Sequence, residues 1–123
     1  MSNLSSEASF PEPQNWQSKA EMARETILQV QKDFALHGLN IPLETTLRSY
    51  PDLVKTLAEK LDEMKFIEHS KLAATLYQLD LNERELVLKL QNLDPRETYF
   101  FLSDRILKRC FEKVYWRHKM KGE

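Results

Sequence analysis

The sequence predicts an all-α fold: a single-domain compact bundle of five or six helices over residues 15–123, behind a mobile N-terminal tail of residues 1–14. Three observations lead there. The 123-residue chain holds two glycines, Gly38 and Gly122, and is rich in Leu, Glu, Lys, Gln and Arg, the residues that give up least on entering a helix. Its apolar residues recur at intervals of three and four, the period of a helix with one buried face. With 41% hydrophobic and 30% charged residues it has the balance of a globular domain, and a chain of this length buries a core without staples.

Each element follows from a local pattern. The opening MSNLSSEASFPEPQ has Ser, Glu and two prolines and little to bury, which reads as a tail. Phe10 is its one sticky residue, read as a packing anchor before a docking motif. The stretch has neither a basic n-region nor an apolar run, so no secretory signal is expected in it. The first helix starts near Asn15 or Trp16: Trp16, Ala20, Ala23, Ile27, Val30 and Phe34 step by four and three, and Gly38 supplies a left-handed C-cap. The connector LNIPLETTLRSYP carries one short helix, Pro42 to Arg48, because proline suits a first helical position. Pro51 opens the next helix behind Ser49 or Tyr50, with Leu53, Leu57, Leu61 and Met64 as its buried row.

A further helix covers Phe66 to Leu79, with Leu72, Leu76 and Leu79 inward. No strong breaker lies between Met64 and Ser70, so these two segments also fit one bent rod. Residues 82–92 read two ways. Leu86, Leu88 and Leu90 alternate as in a strand, yet Asn82 with Glu85 spells a helix N-terminus and no other segment alternates to pair with it; a helix is expected. The last helix is marked most clearly. Asp94, Pro95 and Glu97 stand as N-cap, first-turn proline and capping-box acid, and the pattern runs to about His118.

Catalytic and metal motifs are sparse. The Glu-x-x-His pairs of di-iron bundles do not occur at His37, His69 or His118. His37 sits beside the Gly38 cap, where an imidazole meets the helix dipole favourably. No phosphate-cradling glycine loop, nucleophile elbow or Cys-x-x-Cys is present. Cys110 is the only cysteine; it falls on an apolar arc between Ile106 and Val114, reads as an inert buried thiol, and suits a reducing cytoplasm. No apolar stretch approaches the roughly 20 residues of a membrane span. The expectation is a chain without enzymatic activity, cofactor or metal.

Charge is the remaining signal. Residues 105–121 hold seven basic side chains and one acidic, net +6, whereas residues 1–104 hold eleven basic and seventeen acidic, net −6. On a helical wheel Tyr99, Leu102, Ile106, Leu107, Cys110, Phe111 and Val114 share the core arc, with Phe100 and Tyr115 at its edge. Arg105, Lys108, Arg109, Glu112 and Lys119 take the opposite side, together with two large rings, Phe101 and Trp116. Phe101, Arg105, Lys108, Arg109 and Trp116 therefore form the candidate interaction surface. The sequence reading is a non-enzymatic protein-interaction module or small homo-oligomer, a homodimer included, that uses the outer face of the C-terminal helix. The alternative is nucleic-acid binding through the same basic helix, which the acidic body opposes. A third is a ligand-binding or enzymatic bundle with an acidic pocket. The basic run also has a purely structural reading, as the ion-pair complement of acidic faces on the first helix and on the helix opened by Pro51.

The stretches KLAATLYQLDLNERELV and SDRILKRCFEKVYWRHK resemble small uncharacterised bacterial helical proteins. The likeness lies in a Leu-Tyr-x-Leu-Asp-x-x-Glu core, here Leu76, Tyr77, Leu79, Asp80 and Glu83, and in Arg-x-x-x-Lys-Val-x-x-Arg, here Arg109, Lys113, Val114 and Arg117. It covers about the last 55 residues, implies a bacterial cytoplasmic protein, and brings no catalytic residues with it. Asp80, at the corner before Asn82, has a structural reading as a cap of the helix that follows.

Overall fold

A computed structural model describes residues 20–45, 49–81 and 83–122. The expected tail and the start of the first helix near Asn15 or Trp16 lie outside the described residues. Five α-helices are present among those residues, and no strand.

Helix α1, Ala20–Ala35, buries Ile27, Val30 and Phe34 as its spacing requires. It ends in a Schellman turn. The Gly38 N–H donates to Ala35 O and the Leu39 N–H to Phe34 O, each at 3.0 Å, with Gly38 at φ +78°, where a glycine carries no Cβ penalty. The short helix expected from Pro42 does not form: the chain is irregular from Leu39 to Glu44, and residues 46–48 lie outside the description. The reason is burial. Leu39, Ile41 and Leu43 are all buried; in a helix Ile41 would point away from the side that Leu39 and Leu43 share, whereas an extended chain turns all three to one side. Gln31 Nε2 donates to Ile41 O at 2.8 Å and so satisfies a carbonyl that has no helix to satisfy it.

Helix α2, Tyr50–Glu63, starts at Ser49, whose Oγ accepts from the Asp52 N–H at 3.3 Å. Leu53, Leu57 and Leu61 are buried, and Met64 is half-buried. The helix expected over Phe66 to Leu79, and the alternative of one bent rod, are both overturned just beyond. Lys65 adopts the left-handed conformation (φ 51°, ψ 50°) and stops the helix. A single 3₁₀ turn, Phe66–Glu68, follows, and then the short helix α3, Leu72–Gln78. The break places Phe66 wholly in the core, 5.3 Å from the ring of Phe34. Burying that ring is worth about 1.5–3 kcal/mol, enough to offset the roughly 1–2 kcal/mol of a left-handed lysine.

A second left-handed residue, Asp80 (φ 62°), ends α3. The Asp80 N–H donates to Tyr77 O and the Leu81 N–H to Leu76 O, each at 3.0 Å, the same Schellman pairing as at Gly38. Asp80 thus closes the helix behind it. Helix α4, Glu83–Leu90, resolves the ambiguous segment as helical. Leu86 is 2% exposed and Leu88 60%, so two residues that would share one face of a strand point opposite ways.

Helix α5, Pro95–Gly122, is the longest and runs past the expected end at His118. Its capping box is formed: Asp94 Oδ1 accepts from the Glu97 N–H at 2.8 Å, and the Glu97 carboxylate accepts from the Asp94 N–H at 3.4 Å. Helices α1 and α2 both pack along α5, which makes it the axis of the bundle. Replacing Asp94 by Ala removes an N-cap on that axis and is expected to lower stability by about 1 kcal/mol in urea unfolding, with Asp94→Asn retaining most of it.

Candidate interaction surface

Along α5 the core arc is as the wheel predicts: Tyr99, Leu102, Ile106, Leu107, Cys110, Phe111 and Val114 are buried. The five residues of the candidate surface divide into two groups. Phe101 is half-buried against the core, with the Arg105 guanidinium 5.9 Å from its ring centre, a cation–π contact. Lys108 pairs with Asp104 at 3.3 Å. Arg109 turns back into the molecule. Its Nε donates to Leu79 O at 3.1 Å, its Nη2 to Asp80 at 3.1 Å and its Nη1 to Glu112 at 2.8 Å. The planar fork suits this work, since one guanidinium can clamp a carbonyl and two carboxylates at once. Arg109 therefore pins the α3–α4 corner to α5 and is not part of an outward surface. Trp116 is different: it is 44% exposed, its ring meeting Tyr115 edge-on at 5.3 Å, and one turn later Met120 is 82% exposed.

The same helix forms a polar seam with α1. Asp33 is 2% exposed. Its carboxylate accepts from Lys113 Nζ at 2.9 Å and from Gln29 Nε2 at 3.0 Å, and the Cys110 thiol lies 3.8 Å away. Lys113 also reaches Gln78 O at 3.4 Å. One turn toward the start of α1, Gln29 Oε1 accepts from Arg117 Nη1 at 3.0 Å. One turn further, Glu25 lies 3.0 Å from His118 Nε2 and 3.9 Å from Arg117. Glu25, Gln29 and Asp33 stand four residues apart, so they occupy one stripe of α1, and it faces the cationic stripe of α5. Ion pairs with helix α1 were expected from the charge balance. The second acidic partner is Asp80 at the corner, whereas α2 is joined to α5 by the Tyr50 hydroxyl, which donates to the Asp104 carboxylate. Burial, and then that carboxylate, hold the Tyr50 hydroxyl well above its ordinary pKa.

Beside the seam lies an open cleft of about 440 Å³ lined by Arg24, Glu25, Leu28, Gln29, Lys32 and Arg117. It carries one carboxylate among three cations, so it is not the acidic pocket of the third reading. Among the described residues no group of three or more His, Cys, Asp and Glu side chains is placed to hold a metal ion. No described helix is long and apolar enough to cross a membrane.

Comparison with protein-family models, curated proteins and solved structures returned no match. The residues Arg109, Lys113 and Arg117, singled out in the sequence, each make contacts within the fold. One of them, Arg109, holds the corner at Asp80, while Lys113 and Arg117 form the seam.

Three features escaped the sequence reading. Asp33 was not singled out, because an acid on a helix is usually solvated and only the fold shows this one buried. Met120 lies beyond the helix end that the pattern predicts at about His118. Arg24, Leu28 and Lys32 recur every four residues, a signal that was available but reads alone as an ordinary solvated flank.

Burial, and then the Asp33 charge, push the Cys110 thiol well above its ordinary pKa. Cys110 is therefore expected to react with Ellman's reagent only through opening of the fold. At pH 8 its rate should fall at least about 100-fold below that of the urea-unfolded chain, corresponding to an opening free energy of about 2.7 kcal/mol. Because the folded pKa lies above the unfolded one, the stability linked to this thiol is complete below about pH 8.5 and declines as the pH rises past that value. Urea titrations on either side of it should show a steeper loss for the native chain than for Cys110→Ala.

Proposed function

We propose that this chain is a non-enzymatic helical interaction module that receives a protein partner, or a second copy of itself, at the C-terminal half of α5. The observation that carries the reading is the pair Trp116 and Met120, an indole and a thioether standing exposed one turn apart on one helix. Trp is the residue most enriched at the energetic centres of protein interfaces, and Met adapts its shape to a partner. Lys119, exposed between them, adds positive charge that steers an acidic surface toward the site. The single buried thiol fits a reducing compartment such as the cytoplasm.

The distribution of the cations also favours protein over nucleic acid. Lys108, Arg109, Lys113 and Arg117 each have a carboxylate partner within the chain, so the basic run offers phosphate fewer charges than its composition suggests. Sedimentation equilibrium over a wide concentration range, with a photo-crosslinker at the exposed position 119, tests the reading. Association should appear as a higher mass or as a discrete adduct to one protein species. Trp116→Ala/Met120→Ala should weaken it at least about 30-fold, the effect of truncating an interface hot spot. A strict monomer without an adduct contradicts the proposal. Salt-dependent binding of random RNA or DNA tighter than any protein contact replaces it with the nucleic-acid reading.

A further inference from the structure

The cleft beside the α1–α5 seam has a charge pattern that the α5 face does not. Arg24, Leu28 and Lys32 follow one another at four-residue intervals along the outer flank of α1, and all three are exposed. The row reads cation, apolar, cation, with steps of about 6 Å along the helix. Across the cleft stands Arg117, the neighbour in sequence of Trp116. The one carboxylate of the lining, Glu25, already faces Arg117 and His118. What the cleft offers a visitor is therefore an apolar contact at Leu28 between positive charges.

We infer that the cleft between α1 and α5 seats an acidic amphipathic helix of another protein. Its recognition pattern is an acidic residue, an apolar residue four positions later and a second acidic residue four after that. The inference rests on the reading of the chain as a protein-binding module and names the chemistry of the partner. Charge complementarity sets the sign, and the spacing sets the form: a helix laid alongside α1 presents side chains at the same 6 Å steps. A second copy of the chain does not supply the pattern. Nowhere in the 123 residues does an Asp or Glu precede an apolar residue by four and a further Asp or Glu by eight.

The test uses the full chain and a fluorescent, helix-forming synthetic peptide that carries Glu, Leu and Glu at four-residue intervals, followed by anisotropy. The peptide should bind at low salt and weaken at least about tenfold at several hundred millimolar salt. Gln in place of both Glu residues should weaken it similarly. Arg24→Glu/Lys32→Glu should abolish binding, and a peptide with Lys, Leu and Lys should bind that variant in preference to the native chain. Absence of binding at low salt, or binding indifferent to Arg24→Glu/Lys32→Glu, overturns the inference. So does tighter Arg24- and Lys32-dependent binding of random RNA or DNA, of a synthetic peptide of residues 1–19, or of a second copy seen as a mass that falls in the variant; each assigns the cleft to a different occupant. Association that depends on Trp116 and Met120 is measured separately. The inference can thus fail while the module reading stands, and a peptide that binds a chain with no Trp116-dependent contact moves the interaction site from α5 to the cleft.

Discussion

Asp33 is the constraint on which the rest of this bundle depends. A carboxylate that is 2% exposed must find partners, because the desolvation of an uncompensated charge costs several kcal/mol. Lys113, Gln29 and the Cys110 thiol supply them. Apolar packing of Ile27, Val30 and Phe34 against α5 tolerates small slips along the axis. An ion pair with a 2.9 Å separation does not. The pair therefore sets the register of α1 on α5. That register in turn brings Gln29 to Arg117 and Glu25 to His118, and places Arg24, Leu28 and Lys32 along one cleft. The basic run of the C-terminal helix has its explanation here. Much of it is the complement of acids that the fold carries to it.

The remaining elements are fastened to the same axis by polar groups at the ends of apolar contacts. The Tyr50 hydroxyl joins the start of α2 to Asp104. The Tyr99 hydroxyl accepts from the Ile67 N–H at 3.3 Å and anchors the 3₁₀ turn. Arg109 ties down the α3–α4 corner through Leu79 O and Asp80. Asp80 illustrates the economy of the arrangement. Glycine would adopt its left-handed backbone more readily, but only a side chain with a carboxylate also gives Arg109 an anionic partner. With so many polar groups of α5 turned inward, the outward chemistry concentrates where pairing thins out, at Trp116, Met120 and the flank of α1.

The sequence was most legible where one local signal sufficed. The Asp94–Pro95–Glu97 start, the Gly38 stop and the core arc of α5 each follow from spacing and cap chemistry, and all three are as read. The helix at residues 83–90 follows from the helix-start pair of Asn82 and Glu85 in the sequence and the lack of a partner strand. Legibility failed where tertiary burial overrode local preference. Nothing in a lysine announces a left-handed turn, and Lys65 takes one because Phe66 gains a place in the core beside Phe34. Pro42 looks like a helix start, yet Leu39, Ile41 and Leu43 all bury from an extended chain. At the candidate site, the wheel placed Phe101, Arg105, Lys108, Arg109 and Trp116 on one side of α5 without revealing which of them other elements would engage. Pairs such as Asp33–Lys113, eighty residues apart, leave no trace in spacing.

The most direct measurement is a double-mutant cycle on Asp33 and Lys113, read by urea unfolding. If the buried carboxylate governs the register, Lys113→Met alone should cost about 3–5 kcal/mol, since it strands a buried charge. Asp33→Leu/Lys113→Met should recover most of that loss, because the charge and its partner leave together. A cost below about 1 kcal/mol for Lys113→Met, with the two single changes simply additive, would contradict the account.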